Sequence, residues 1–427
     1  MQHPVSRLAT IAWTVFATVI VGLLLLNFTS GEKKIEEQIQ REYGLHDAQY
    51  QRALGVLLGP PILDGNRFEA LYNGDRIFPP MLRAIQGAQH SITFETYIYW
   101  SGDIGRAFAE ALAERAKAGV KVHVLLDWVG SAKIDARFLQ DMEAAGVQIR
   151  KFHQPSWYDI ARMNNRTHRK LLVVDGRIGF TGGVGIAPEW TGDAQDAQHW
   201  RDSHFQVEGP VVAQMQAVFM DNWIKVSGDV LHGEIYFPAL AKAGDGRAQV
   251  FSSSPSGGSE SMHLMYLLSI TAATKSIDLS SAYFVPDDLT IHALVAAMER
   301  GVRVRIIVPG PIIDSQTVRG ASRASWGPLL EAGAEISEYQ PTMFHVKVFT
   351  VDGLLSSVGS TNFDNRSFRL NDEANLNIYD SAFAAAQTAQ FEADLKRSKR
   401  ITLDAWRDRP LHEKAMEHLA SLLATQL

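Results

Sequence analysis

The sequence predicts an α/β protein made by internal duplication: two mostly parallel or mixed sheets flanked by helices, related by a pseudo-twofold axis and preceded by one N-terminal transmembrane helix. Three observations predict it. The pattern His-x-Lys, four mostly apolar residues and Asp occurs twice, as His168 to Asp175 and as His345 to Asp352. The segments that precede it recur in the same order in each half. Residues 8–28 form an uncharged run of 21 residues.

That run carries Trp13 near one end and the four leucines Leu23 to Leu26. At a rise of about 1.5 Å per residue it is long enough for a hydrocarbon core of roughly 30 Å. A cleaved signal peptide has an apolar region of about 7–15 residues and a small-residue cleavage site, and this segment offers neither. The expectation is therefore an uncleaved anchor over 1–30, with the protein on a bacterial inner membrane. Lys33, Lys34 and Arg41 follow the run and Arg7 precedes it, a count that leans toward a cytoplasmic body. Residues 31–61 are charged and helix-friendly and read as a juxtamembrane spacer ending at Gly59-Pro60-Pro61.

The body reads as two halves, 62–235 and 236–427. In the first, Ser91 to Tyr99 is strand-like, Ala107 to Ala118 helical, and Gly119 to Asp127 strand-like again. Ser276 to Phe284, Leu289 to Arg300 and Gly301 to Pro309 repeat this sequence of elements. A third parallel sets Ala145 to Ile149 with Gln154-Pro155 against Ala332 to Ile336 with Gln340-Pro341. Strand, helix, strand, helix, strand implies right-handed crossovers and a largely parallel sheet. Residues 155–167, with Trp157, Tyr158, Arg162, Met163 and Arg166, have no counterpart in the second half. A loop ending at an active-site strand is placed to shape substrate entry. Lys396 to Arg400 is a short basic run, read as the solvated end of a helix.

Composition narrows the chemistry. With 427 residues, 46% hydrophobic and 21% charged, the chain builds a large core. A net charge of -6 gives no general attraction to nucleic acid. The absence of cysteine excludes disulfides, thiolate nucleophiles and cysteine zinc sites.

On a strand, residues two apart share a face, so His168 with Lys170, and His345 with Lys347, each present an imidazole and an ammonium together. Brought into one pocket they make a phosphodiester site. Two ammonium groups would repel a metal cation, so no metal and no cofactor is expected. Asp175 and Asp352, at the far strand ends, are expected to pin the fold. A nucleophilic His needs its other nitrogen held by an acceptor, and Glu373 and Asp202 stand at similar distances after their motifs. His123, His199, His204 and His292 read as structural.

These paired motifs, each followed by a Gly-rich turn, resemble the phospholipase D superfamily. Phe94 to Tyr99, Ala282 to Pro286 and Asn365 to Asn371 look like bacterial cardiolipin synthases, a likeness running from about Leu63 to the C-terminus. The resemblance implies that one His forms a phosphohistidine while the other acts as acid and base, here His168 and His345 respectively, with Lys170 and Lys347 on the phosphoryl oxygens. It implies phosphate-holding roles for Ser360 and Asn362 in Gly359-Ser360-Thr361-Asn362. The first copy has Gly182-Gly183-Val184-Gly185 instead, and nothing is carried over to it. The implied partner is a phospholipid, phosphatidylglycerol, in a membrane. The implied reaction is phosphatidyl transfer giving cardiolipin and glycerol. A hydrolase using water, a tethered nuclease and a silent scaffold are the alternatives.

Overall fold

The computed structural model describes residues 7–29, 35, 37–41, 43–152, 165–255 and 261–424. Helices α1 (Arg7–Thr29) and α2 (Ala48–Leu57) come first. The first half follows as β1 (Leu63–Tyr72), α3 (Gly74–Gly87), β2 (Ser91–Thr96), α4 (Asp103–Lys117), β3 (Lys121–Asp127), α5 (Ala136–Ala144), β4 (Gln148–Phe152), the two-residue β5 (Arg166–Thr167), β6 (Leu171–Val174), β7 (Ile178–Gly182), β8 (Ser203–Glu208) and α6 (Val212–Ser227). The second half repeats the plan. It runs β9 (Gly246–Ser253), α7 (Ser261–Ala272), β10 (Ser276–Ser281), β11 (Phe284–Val285), α8 (Asp288–Glu299), β12 (Arg303–Pro309), α9 (Gln316–Ala324), α10 (Trp326–Glu331), β13 (Glu335–Tyr339), β14 (Lys347–Val351), β15 (Leu355–Gly359), β16 (Phe363–Asp364), β17 (Asn371–Tyr379) and α11 (Ser381–Leu395). Strand β18 (Ser398–Ile401) and helices α12 (Leu403–Arg407) and α13 (Leu411–Ser421) close the chain.

The duplication is visible in strand order. From its outer side inward one half reads β4-β3-β2-β6-β7-β8-β1, and the other β13-β12-β10-β14-β15-β17-β9. Two separate sheets were expected, but the halves share one 16-stranded sheet. The join is made because β9 pairs β17 on one side and the bulged start of β1 on the other. The parallel part is also smaller than expected, being β2-β3-β4 and β10-β12-β13. The motif strands β6 and β14 pair antiparallel on both sides, with β2 and β10 on one side and, through a hairpin, with β7 and β15 on the other.

That hairpin explains the motif aspartates. Asp175 and Gly176 have φ of 52° and 61°, Asp352 and Gly353 53° and 63°, and the N–H of Arg177 and of Leu354 closes each turn onto Val174 and Val351. Two successive left-handed residues make the two-residue turn for which Asp-Gly is favoured. The Asp175 carboxylate accepts the N–H groups of Gln89, His90 and Ser91; Asp352 does the same for Thr274, Lys275 and Ser276. Each Asp therefore ties its hairpin to the start of the neighbouring strand, roughly 20 Å from the His at about 3.3 Å per residue.

Residues 45–58, read as spacer, pack against the second half. Asp47 caps α2 by accepting the Gln49 N–H. Leu45, Tyr50 and Leu54 are buried in the same core as Met265, Tyr266 and Ile270, and the Tyr50 and Ser269 hydroxyls are 3.0 Å apart. The i, i+4 apolar pair inside a polar segment supplies the buried face. The basic run 396–400 enters the edge strand β18 rather than only ending a helix, and charge on an edge discourages further strand pairing. Of α1, side chains are described for residues 9–22; among the described residues no helix is long and apolar enough to cross a membrane. Trp157, Tyr158, Arg162 and Met163 lie outside the described residues, whereas Arg166 begins β5.

Candidate active site

Both histidines precede their motif strands, where the two halves touch. Strand β5 lies parallel to the start of β17, with Arg166 opposite Asn371 and Thr167 opposite Asp372. The His168 N–H donates to the Asp372 carbonyl at 2.9 Å, and that of His345 to the Arg201 carbonyl at 2.8 Å. Each His is thus held by the backbone one residue before an acid of the opposite half.

The acids complete the exchange. His168 Nδ1 lies 2.9 and 3.0 Å from the two oxygens of Glu373, and His345 Nδ1 lies 2.7 Å from Asp202 Oδ2. Sequence spacing had suggested both acids but not that each serves the other half's imidazole. A carboxylate at Nδ1 fixes a proton there and turns Nε2 outward, where it can attack as a lone pair or carry a second proton. Glu373 is further bound by the hydroxyls of Ser360 at 2.5 Å and Ser367 at 2.8 Å and by the Asn371 amide at 3.3 Å. Asp202 receives the Trp190 indole N–H at 2.9 Å and the Ser203 N–H at 2.8 Å. Both carboxyls are held below the usual range; burial raises them, but the paired histidines and nearby lysines outweigh it.

Ser360 was expected at the phosphate. Its hydroxyl instead donates to Glu373 and accepts the Ala374 N–H at 3.0 Å. Asn362 is buried in the same turn, its N–H bonded to Ser367 Oγ at 3.1 Å. The missing serine of the first copy has a steric reason. A Cβ on Gly183 would lie 2.2 Å from Asp202 Oδ1. Aspartate, one methylene shorter than glutamate, keeps its carboxylate close to the turn, in the space that Ser360 fills in the other half. Gly183→Ala is therefore expected to displace Asp202 and lower turnover about 100-fold, since small misplacements of a catalytic group are costly. Steady-state kinetics beside a thermal melt checks this, the melt separating displacement from unfolding.

The lysines are buried with the histidines. Lys170 Nζ donates to the His168 carbonyl at 2.7 Å and Lys347 Nζ to that of His345 at 2.8 Å. Lys347 Nζ also stands 3.1 Å from both ring nitrogens of His345, alongside the ring. Burial pushes His168 down to about 4, opposed by Glu373 and aided by Lys170 and, from the other half, Lys347. His345 is lowered by burial and by Lys347. Burial pushes Lys170 down to about 7 and Lys347 down to about 8, against the pull of Glu373 and Asp202. The charges of the two halves thus act on one another as a single site. Aromatic rings wall it: Tyr97 stands edge-on to His168 at 5.2 Å, and Trp190 and Trp200 lie 5.2 and 5.5 Å from His345. Tyr97, Trp190 and Ser367 were missed as site residues, although Tyr97 and Ser367 stand in the words that carried the resemblance. His123, expected to be structural, is bonded to the Tyr236 hydroxyl at 2.8 Å and packed on Trp223.

The depressed lysines carry a pH signature. They are charged below about 7–8 and lose charge above it, so the KM for an anionic substrate is expected to rise roughly tenfold between pH 7 and 9. Stability moves the other way. Between the folded values and the ordinary value near 10.5 the unfolded chain binds more protons, so stability rises with pH through that window. Lys170→Met is expected to melt a few degrees higher at pH 7 and with a flatter pH dependence, which a series of thermal melts reads directly.

Comparison with known proteins fits this geometry. The family described as "Cardiolipin synthase, PLD-like domain" matches residues 81–223 and 266–395, one stretch in each half. Cardiolipin synthase 1 of Bacillus cereus is 36% identical over 380 residues, 86% of this chain and 74% of its own length. The chain belongs to the cardiolipin synthase, PLD-like domain family. Within the cardiolipin synthases, that of Alkalihalophilus pseudofirmus is 33% identical, covering 93% of this chain and 79% of its own length. Cardiolipin synthase A of Pseudomonas fluorescens is 35% identical, with 82% and 73% covered. Among solved structures, phosphatidylserine synthase of Haemophilus influenzae superposes with a TM-score of 0.68 over 89% of this chain and all of its own, at 14% identity. At that identity it speaks for the fold.

Proposed function

We propose that this member of the cardiolipin synthase family is a membrane-anchored phosphatidyltransferase joining two phosphatidylglycerol molecules into cardiolipin and glycerol. The observation that carries the reading is the crossed pair: two imidazoles, each fixed at Nδ1 by an acid of the opposite half, beside two buried lysines. Relatives named cardiolipin synthase, matched over most of their length, support the substrate class.

In this reading His168 Nε2 attacks the phosphorus of one phosphatidylglycerol. The bond from phosphorus to the glycerol oxygen breaks, and His345, which enters the cycle as an imidazolium supported by Asp202, gives that oxygen its Nε2 proton. His345 then takes the proton from the terminal hydroxyl of a second phosphatidylglycerol, whose oxygen attacks phosphorus and frees His168. Lys170 and Lys347 hold the phosphoryl oxygens through both steps. His168 suits the nucleophile because Glu373 holds it with both oxygens and burial keeps it neutral at pH 7. The exchange is nearly isoenergetic, so the aromatic walls serve to keep water from the intermediate. The apolar run 8–28 is assigned as a single-pass anchor in the bacterial inner membrane, with Glu373, Asp202, Ser360 and Asn362 as orienting groups.

Purified full-length protein given labelled phosphatidylglycerol is expected to release cardiolipin and glycerol in equal amounts. Phosphatidic acid as the main product would make it a hydrolase; cleavage of an oligonucleotide with no lipid product would make it a nuclease. Because lysines supply the positive charge, EDTA is expected to leave the rate unchanged, and a chelator-sensitive rate would defeat the scheme.

A further inference from the structure

Helix α13 is amphipathic in the opposite sense to a helix facing water. Its carboxylates point inward: Glu417 is paired with Arg323 at 2.9 Å and with Arg409 at 3.0 Å, and Glu413 with Arg323 at 3.5 Å. Beyond them Ala420 and Ala424 pack on Val285, Val318 and Ala321. The outward residues are Leu411, Met416 and Leu419, followed by Leu422 and Leu423 in the turn that ends the helix, each between 50% and 82% exposed. At about 100° per residue the three helical ones span one arc of roughly 140°. The helix's two carboxylates, Glu413 and Glu417, are both on the inner face; His412, Lys414 and His418 complete the outward half. Water is a poor solvent for such a surface.

The Asn365 amide donates to the Ala424 carbonyl at 3.3 Å, next to Asp364, which accepts the N–H of Ser367 at 2.7 Å, the residue whose hydroxyl holds Glu373. Ala424 and Tyr283 pack on the same small cluster, and the Tyr283 carbonyl accepts the N–H of Phe363 at 3.0 Å, the residue after Asn362. The end of α13 therefore borders the rim of the site in the second half. In the first half the rim has its own apolar residues: Trp128 and Val129 are half-exposed after β3, beside Asp127, which accepts the Thr167 N–H at 3.1 Å. Apolar surface thus flanks the site on both halves. A protein laid across it would close the mouth, whereas a lipid surface would supply the substrate.

We propose that α13 is an interfacial docking helix whose outward leucines enter the headgroup–acyl boundary of an anionic bilayer and seat the active-site rim on it. The inference rests on the phospholipid reading above. It gives α13 a task separate from tethering, namely setting the orientation of the body.

The chain lacks cysteine, so Leu419→Cys in the full-length protein introduces a unique thiol for a polarity-sensitive dye. Lys121→Cys, exposed at the opposite end of β3, is the control. In phosphatidylglycerol proteoliposomes the dye at 419 is expected to shift to the blue and to be shielded from iodide, while the dye at 121 does neither. Met416→Asp/Leu419→Asp/Leu423→Asp is expected to slow turnover of phosphatidylglycerol vesicles by about tenfold or more. The same variant should turn over short-chain monomeric phosphatidylglycerol at the wild-type rate. A dye at 419 that stays open to iodide, or a triple variant at full rate on vesicles, overturns the proposal. So does shielding at 419 that needs no lipid and is lost on diluting the protein, which would assign the face to a second copy. The two readings fail separately: a shielded 419 without cardiolipin formation removes the reaction and keeps the docking helix, and cardiolipin formation with an open 419 does the reverse.

Discussion

His168→Ala is expected to lose turnover of phosphatidylglycerol by about 10⁴-fold or more, because in the proposed scheme it removes the atom that bonds to phosphorus. His345→Ala should fail as badly on the lipid, for another reason: the glycerol alkoxide leaves without a proton. The two are separated by a diester with a good leaving group, such as a p-nitrophenyl ester, which needs no general acid. With it His345→Ala recovers the first half-reaction, seen as a burst of nitrophenol and a labelled enzyme, and His168→Ala recovers nothing. The reversed pattern would exchange the assigned roles. Neither side chain lies in a hydrophobic core cluster, so both variants are expected to fold.

Glu373→Gln is the second large effect, with kcat falling about 10³-fold and KM changing much less. The Glu373 carboxylate accepts from His168, Ser360, Ser367 and Asn371. A carboxamide has only one oxygen, so its NH₂ must face either the imidazole or a hydroxyl group. Facing the imidazole, it forces the proton onto Nε2 and removes the attacking lone pair. Facing the serines, it leaves His168 with one weaker acceptor and frees the ring to turn. A burst experiment locates the loss: phosphoenzyme formation should slow, not only its breakdown. An unchanged burst would remove Glu373 from the nucleophile's support.

Much of this arrangement is legible in the residues, for identifiable reasons. The motif strands are legible because His-x-Lys, the apolar run behind it and an Asp-Gly turn are local signals, and the halves because the same elements recur in order. The partners of the acids are not local. Nothing within reach of Glu373 in the chain says that its imidazole is His168, 205 positions away. Ser360 was misplaced for the same reason: a serine in a Gly-rich turn looks aimed at a phosphate until the strand carrying Glu373 is set beside it. The continuous sheet was missed because it depends on β9, the first strand of the second half, pairing with both β17 and β1. Residues 45–58 hid their role because their buried face is only Leu45, Tyr50 and Leu54 among polar neighbours.

The unequal cradles, Glu373 with Ser360 on one side and Asp202 with Gly183 and Trp190 on the other, matter beyond the sterics that produced them. A symmetric pair of identical subunits would hold two indistinguishable imidazoles, and only the position of a proton would tell attacker from donor. Here the difference is written into covalent structure, so in the proposed scheme the division of labour is set before any lipid arrives. An interchange of the two cradles, Glu373→Asp with Ser360→Gly against Asp202→Glu with Gly183→Ser, would ask whether the enzyme can run with its hands reversed.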